Sequence, residues 1–251
     1  MAVVQRGNQV RPAEENAVRR SGAKETGQLT DSGAGKEVAS GSDSDGDVHE
    51  TVVERPVIPK CKIVIDPGHG TPDPGAVGPT KLQEQEVNLK VALRLAELLK
   101  DSYDVVLTRR DYRGAMPSVR GSLTEKVSYT KKASLRYRAG LSKQVEAAMF
   151  VSVHANAAAN DQAHGYEVFH NDSGRWLARS VFAAMGRAMP DHRPRRVEMA
   201  KYFVLRKNTV PAILVELEFI SNAEQEAWLK KSDTLTLLAR AIHEGIIEAK
   251  F

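Results

Sequence analysis

Cysteine is nearly absent from this chain of 251 residues, because Cys61 is the only one. A single cysteine cannot form a disulfide within the chain, and it cannot supply the several thiolates of a zinc finger. If the protein binds a metal ion, histidine and carboxylate side chains must therefore hold it.

Long apolar runs are missing as well. The longest ones fall far short of the roughly 20 residues that a membrane-spanning helix needs. The first residues, MAVVQRGNQVRPAEE, lack the apolar centre of a secretory signal peptide. We therefore expect a protein that is made in the cytoplasm without a general secretory leader and that does not insert into a membrane.

Residues 1–56 have few large apolar side chains and are rich in glycine, serine and acidic residues. Such a segment buries too little apolar surface to offset the conformational entropy that is lost on ordering. We predict a flexible N-terminal arm over residues 1–56 and a folded domain over residues 57–251. A plain linker is the alternative interpretation of the arm.

An excess of positive charge is confined to the predicted domain. Residues 1–55 carry 10 acidic and 7 basic side chains, which leaves 22 acidic and 29 basic ones for the remainder. A net charge near +7 favours anionic partners such as nucleic acid, acidic membranes or cell-wall polymers. Charge alone does not choose among them, but no nucleic-acid-binding motif accompanies it.

From Lys62 onward, short apolar runs alternate with amphipathic stretches. Strands are predicted at 63–65, 103–108, 149–153, 166–169, 203–206 and 212–219, and helices at 86–100, 133–147, 174–189, 223–230 and 234–249. The strand and helix alternation of the first half is typical of parallel strands joined by right-handed crossovers. The pattern therefore predicts one α/β domain.

Three polar residues stand where loops leave the predicted strands or enter a helix. His69 follows the first strand, His154 directly follows the strand at 149–153, and Glu84 precedes the helix at 86–100. Loops at the carboxyl ends of strands converge in open α/β sheets, so the two imidazoles and the carboxylate could share a metal ion. Such a set gives zinc three protein ligands and leaves a fourth position open, as in hydrolytic sites. The alternative is that the histidines are ordinary loop residues and that the helix dipole explains the glutamate.

Glu216 interrupts the apolar run at 212–215, where an unpaired buried carboxylate would cost several kcal/mol. Glu218 has the same strand parity, so we expect both side chains on one face of the sheet. A carboxylate pair at this spacing raises one pKa, which suits a general base. A strand at the sheet edge with one solvated face is the competing interpretation.

Ten segments occur in a fixed order along residues 61–249: IVIDPGHG at 63–70, DPGA at 73–76, Glu84 ahead of VNL, VLTR at 106–109, Leu135 with RA at 138–139, FVSVHAN at 150–156, GYEV at 165–168, VLR at 204–206, PAILVE at 211–216 and FISN at 219–222. In these segments the chain resembles the zinc-dependent N-acetylmuramoyl-L-alanine amidases of the amidase-3 type.

The resemblance implies cleavage of the amide between N-acetylmuramic acid and L-alanine in peptidoglycan. It implies Zn²⁺ on His69, Glu84 and His154, and it gives the catalytic role to Glu216. It also implies a single α/β domain with a mixed, mainly parallel sheet of about six strands flanked by helices. The chain departs from the family at Glu218, where a small residue is usual, and in the long basic segment at 110–132.

Three functions compete at this point. The first is a peptidoglycan amidase in host-cell lysis, such as a phage endolysin that acts as a monomer at the cell wall or periplasm. A bacterial amidase trimmed of its leader would have the same sequence features. The second is another zinc-dependent peptidoglycan peptidase, either a carboxypeptidase or an endopeptidase. The third is a non-catalytic wall-binding regulator, which the presence of all four site residues disfavours.

Overall fold

The structure, a computed structural model, describes residues 60–116 and 130–249. The predicted arm at 1–56 and the middle of the basic segment at 110–132 lie outside the described residues. None of the helices within the described ranges is both long enough and apolar enough to cross a bilayer.

The described residues form one six-stranded sheet with helices against both faces. The strands are β1 (Lys62–Pro67), β2 (Asp104–Leu107), β3 (Met149–Asn156), β4 (Tyr166–His170), β5 (Pro194–Met199) and β6 (Ala212–Phe219). The helices are α1 (Glu84–Leu99), α2 (Lys131–Gln144), α3 (Arg175–Ala188), α4 (Phe203–Arg206), α5 (Ala223–Leu229) and α6 (Ser232–Glu248).

The sheet order is β2-β1-β3-β6-β4-β5. The first four strands in that order are mutually parallel, whereas β4 is antiparallel to β6 and parallel to β5. The prediction of an α/β domain with a mixed, mainly parallel sheet of six strands is confirmed.

Strand alternation divides the core into two layers. Odd-numbered residues of β1, β3 and β6, such as Ile65, Val151 and Val215, pack in one cluster with residues of α1, α3 and α6. Even-numbered residues such as Val64 and Leu214 pack in a second cluster with residues of α2 and α4. Because these strands are buried on both faces, they read as continuous apolar runs in the sequence.

One predicted strand is wrong. Residues 203–206 form the short helix α4, in which the amides of Leu205 and Arg206 both bond to the carbonyl oxygen of Tyr202. The aromatic and β-branched residues favour a strand locally, but the chain has to turn back there between β5 and β6. The strand β5 was not predicted, because its sequence PRRVEM is largely exposed at the sheet edge and carries little apolar signal.

Two helix glycines provide a matched test of the packing. A Cβ at Gly140 in α2 would meet no atom within 4 Å, whereas a Cβ at Gly245 in α6 would lie 2.4 Å from Cα of Val181 in α3. We expect Gly140→Ala to stabilise the protein by about 0.5–1 kcal/mol through helix propensity. We expect Gly245→Ala to destabilise it, because α3 and α6 must separate to admit the methyl group.

Urea unfolding of both variants measures the two effects on the free energy of unfolding. A Gly245→Ala protein as stable as Gly140→Ala would contradict the close contact between α3 and α6.

Candidate metal centre

The structure brings His69, Glu84 and His154 together, with one possible ligand atom from each lying within 4.8 Å of the others. Oε1 of Glu84 is 3.2 Å from Nε2 of His69 and 2.8 Å from Nδ1 of His154. Ligand atoms around a tetrahedral zinc ion are separated by about 3.3 Å when each bond is about 2.0 Å long. The three side chains therefore fit a small metal ion that prefers nitrogen and carboxylate oxygen ligands.

Each of the three side chains is delivered by a different element at the carboxyl edge of the sheet. His69 lies in the turn after β1, His154 lies near the end of β3, and Glu84 is the first residue of α1. His69 adopts a left-handed backbone conformation with φ of 62°, which turns its side chain toward the other two. Gly68 faces the ring of His154 so closely that a Cβ there would lie 2.3 Å from Nε2.

Two buried arginines hold the turn that carries His69. Arg109 donates to the carbonyl oxygen of Pro67 at 3.0 Å and to that of Gly68 at 2.8 Å. Arg138, from α2, donates to the carbonyl oxygens of Pro67 and His69. The turn is thus fixed by backbone contacts that do not depend on the ligand side chain itself.

Asp66 supplies the negative charge that accompanies these arginines. Its carboxylate accepts from Arg138, from the hydroxyl of Thr108 at 2.6 Å and from that of Ser152 at 2.7 Å. Burial alone would raise the pKa of Asp66, but Arg138 and the two hydroxyls outweigh it and lower the pKa. Burial and the neighbouring charge of Arg138 lower the pKa of Arg109 to about 10.

Glu84 is buried but remains ionised. Its Oε2 accepts from the amide of Ala76 at 2.8 Å, and its Oε1 accepts from Nδ2 of Asn88 at 3.2 Å. Burial opposes ionisation, yet the bonds to His154 and His69 hold the pKa of Glu84 well below its usual range. A carboxylate that is ionised and oriented in this way is suited to bind a cation.

Glu216 lies beside the three candidate ligands. It is the register neighbour of His154 on β3, and its Oε2 is buried without a hydrogen-bond partner among the described residues. Burial raises the pKa of Glu216 well above its usual value, and the carboxylates of Glu84 and Glu167 raise it further. A buried oxygen with no protein partner is available for a proton or for a group that enters the site.

The expectation that Glu218 pairs with Glu216 is wrong. A register shift lies between Glu216, which is opposite His154, and Phe219, which is opposite Asn156, so Glu218 falls within the irregular stretch of β6. The Glu218 carboxylate instead lies 2.9 Å from Nδ1 of His192 and accepts from the amide of Gly165 at 2.7 Å. The carboxylates that act on Glu216 are those of Glu84 and Glu167.

A cleft of about 220 Å³ opens onto His69 and His154 from the side of α2 and α4. The two histidines, Leu135 of α2 and Tyr202 contribute to its walls. Tyr202 packs edge-on against Phe169 of β4, with ring centroids 5.2 Å apart. The pKa of Tyr202 is raised by burial first and then by the carboxylates of Glu216 and Glu167.

Sequence reasoning did not assign a role to Arg109, Arg138 or Glu167. Arg138 carried a detectable signal, because it stands three residues from both Leu135 and Leu141, on the apolar side of α2. A charge at such a position needs a buried partner, which is Asp66. Glu167 similarly interrupts a buried strand, but β5, which supplies its arginine partners, was not predicted.

The α/β sheet thus brings two imidazoles, a buried carboxylate and a second glutamate together at the carboxyl edge of its strands, an arrangement that is typical of metal-dependent hydrolases. Comparison with known families makes the assignment specific. The family model of the N-acetylmuramoyl-L-alanine amidases, Amidase_3, matches residues 63–248, and the chain belongs to this family.

Individual relatives support the assignment. The N-acetylmuramoyl-L-alanine amidase LytC of Bacillus subtilis (strain 168) is 32% identical over 200 residues, a match that covers 78% of this chain. The match covers 36% of LytC, so this chain spans about a third of the length of that relative.

Solved structures of amidases share the fold. The amidase AmiC2 of Nostoc punctiforme is 30% identical with a TM-score of 0.64, and the match covers 75% of this chain and 96% of that one. The CwlD amidase from Clostridioides difficile, solved in complex with the GerS lipoprotein, is 28% identical with a TM-score of 0.67. That match covers 76% of this chain and 98% of CwlD.

The close approach of Gly68 to His154 can be tested directly. We expect Gly68→Ala to displace the imidazole, because the new Cβ would overlap the ring, and to weaken zinc binding by about 10-fold or more. The melting temperature should change little, because the ring is the mobile end of a side chain. Zinc titration and thermal unfolding measure the two effects, with Gly140→Ala as the control. Wild-type zinc affinity in Gly68→Ala would contradict the expectation that the close approach of Gly68 fixes a ligating His154 ring.

Proposed function

We propose that this chain is a zinc-dependent N-acetylmuramoyl-L-alanine amidase that hydrolyses the amide between N-acetylmuramic acid and L-alanine in peptidoglycan. The observation that carries the proposal is the convergence of two imidazoles and a carboxylate beside Glu216, whose Oε2 has no partner among the described residues. Membership of the amidase family and the names of the relatives support the choice of substrate.

In the proposed mechanism, His69, Glu84 and His154 hold the zinc ion. When bound, zinc supplies Lewis acidity, which polarises the scissile carbonyl and makes water more acidic. Glu216 accepts the proton of the attacking water at Oε2, which has no hydrogen-bond partner among the described residues, and passes it to the nitrogen of the departing L-alanine. The cleft beside the two imidazoles provides the path by which the scissile amide reaches these groups.

Zinc dependence is the first part of the proposal to test. We expect removal of the metal by a chelator to abolish activity on peptidoglycan and added zinc to restore it. Cys61→Ser should remain active, because Cys61 is exposed and precedes β1, outside the candidate site. Activity that persists after mass spectrometry has verified complete metal removal would refute the zinc mechanism.

The two glutamates should respond differently to the same substitution. We expect Glu84→Gln to lose zinc affinity, because a neutral amide is a poorer ligand than a carboxylate. We expect Glu216→Gln to keep zinc and the fold but to lower kcat by about 100-fold or more, the usual contribution of a positioned general base. Zinc content and turnover are measured on the same preparations.

Glu218→Gln is the control for this pair, because its carboxylate is bonded to His192 and Gly165 rather than to the site. A larger loss of turnover in Glu218→Gln than in Glu216→Gln, at equal zinc content, would overturn the assignment of the base.

Product analysis separates the amidase from the other zinc-dependent peptidoglycan peptidases. Digestion of purified sacculi by an amidase releases intact stem peptides that begin with L-alanine, whereas a carboxypeptidase or an endopeptidase cuts within the stem. A non-catalytic regulator releases neither product.

Host-cell lysis, as by a phage endolysin, is the proposed biological context. The second candidate is remodelling of a bacterial wall. It is considered because the bacterial relatives LytC, AmiC2 and CwlD are named as amidases and not as lysis proteins. A gene located among phage genes would support lysis, and one located in a bacterial wall-synthesis cluster would support remodelling.

A further inference from the structure

Four residues form a continuous row across four neighbouring strands. His154 of β3 is in register with Glu216 of β6, Glu216 with Glu167 of β4, and Glu167 with Arg196 of β5. Neighbouring strands lie about 4.8 Å apart, so the backbone of Arg196 is about 10 Å from that of Glu216. The row leads from a candidate metal ligand, through the candidate base, to a cationic side chain at the sheet edge.

An irregularity in β5 brings a second arginine to the same place. Tyr166 is in register with Pro194 but Glu167 with Arg196, so Arg195 is the extra residue of a bulge. A bulge re-aims side chains that would otherwise alternate between faces. As a result, Nε of Arg195 and Nε of Arg196 both donate to Oε1 of Glu167, at 2.8 and 3.0 Å.

The two guanidinium groups retain hydrogen-bonding capacity. Glu167 accepts from both arginines at Oε1 and from Nδ2 of Asn156 at Oε2, at 2.9 Å. Arg195 is held over the ring of Phe219, with its Cζ 4.8 Å from the centroid, and is one-quarter exposed. The side chain of Arg196 is 46% exposed. Nη1 of Arg195 donates to the carbonyl oxygen of His164 at 3.3 Å, and Nη1 of Arg196 donates to Glu198. Among the described residues, Nη2 of neither arginine donates a hydrogen bond, so both groups can bind a further anion.

The arginines lie on the same surface as the cleft. Tyr202 lines the cleft beside the two histidines and packs edge-on against Phe169, which lies two residues from Glu167 on the same face of β4. A substrate whose scissile amide lies at the candidate metal centre can therefore extend past Tyr202 to the arginine pair.

We propose that Arg195 and Arg196 form a subsite that binds a free carboxylate of the stem peptide, next to the scissile amide. This inference rests on the proposed amidase function. The second residue of an extended peptide lies about 7 Å from the bond that precedes the first, which is within the roughly 10 Å that separates the backbones of Arg196 and Glu216. Planar guanidinium groups are well suited to carboxylates, because they donate two parallel hydrogen bonds.

One internal anion competes for the subsite. Oε1 of Glu198 accepts from Nη1 of Arg196 at 3.1 Å, and the Glu198 side chain is half exposed. An exposed pair of this kind is weak, so a substrate carboxylate can displace it. Removing the charge of Glu198 should therefore strengthen the subsite, whereas removing that of Arg196 should weaken it.

The test uses the zinc-loaded full chain and two soluble muramyl peptides, which differ only in whether the second residue carries a free carboxylate or its carboxamide. We expect the wild-type protein to favour the carboxylate in kcat/KM, and Arg196→Gln to reduce that preference by about 10-fold. Glu198→Gln should increase the preference for the carboxylate.

Arg187→Gln is the matched control, because it removes an exposed arginine paired with Glu248 between α3 and α6 and should leave the preference unchanged. If Arg196→Gln lowered kcat/KM equally on both peptides, Arg196 would serve only to balance the charge of Glu167. That result would contradict the proposed subsite. A wild-type protein that does not distinguish the two peptides would overturn it as well.

Binding separates failure of the subsite from failure of the amidase function. Calorimetric titration of the Glu216→Gln protein with the same two peptides requires no turnover. Tighter binding of the carboxylate peptide supports the subsite whether or not the wild-type protein hydrolyses either peptide. If the wild-type protein hydrolysed neither peptide, the amidase function would be refuted but the subsite would not. Equal binding of both peptides would refute the subsite even if both are hydrolysed.

Discussion

The turn at Pro67–His69 is held by buried arginines, and the rest of the site depends on that contact. Arg109 and Arg138 donate to its carbonyl oxygens, and Asp66 balances the charge of Arg138 at the end of the same strand. A buried ion pair adds little net stability compared with apolar packing, but removing one partner is costly, because an unpaired charge is left in the core. The pair therefore specifies the position of the turn more than it stabilises the fold.

That position determines the geometry of the three candidate ligands. Gly68 must pass close to the ring of His154, and His69 must adopt a left-handed backbone conformation to face Glu84. Glu84 in turn is placed by the start of α1 and by the amide of Ala76. A small movement of the turn would separate the imidazoles. The buried hydrogen bonds from the two arginines to the carbonyl oxygens of Pro67, Gly68 and His69 therefore keep the turn in place.

Much of the fold could be predicted from the sequence, because the buried parallel strands are continuous apolar runs and the helices are amphipathic. The edge strand β5 could not be predicted, because its exposed, charged residues resemble those of a loop. Only the pairing with β4, which the sequence does not reveal, makes it a strand. The same omission hid the arginine partners of Glu167. The prediction that Glu218 lies on the same face as Glu216, because the two are two residues apart, also failed. A β-bulge changes the direction of a side chain, and it cannot be recognised from the spacing of the residues in the sequence.

Electrostatics gives a reason for a cation at this site that is independent of ligand spacing. Asp66 is balanced by Arg138, and Glu167 by Arg195 and Arg196. Among the described residues, no arginine or lysine pairs with Glu84 or Glu216, and Glu84 contacts two histidines. Without further positive charge, burial and the nearby carboxylates raise the pKa of Glu216 well above its usual value, so it resists ionisation. A cation held by the three candidate ligands would favour the ionised form that a general base requires. Binding of the cation would then also activate the base, because the positive charge of the bound ion would stabilise the ionised carboxylate of Glu216.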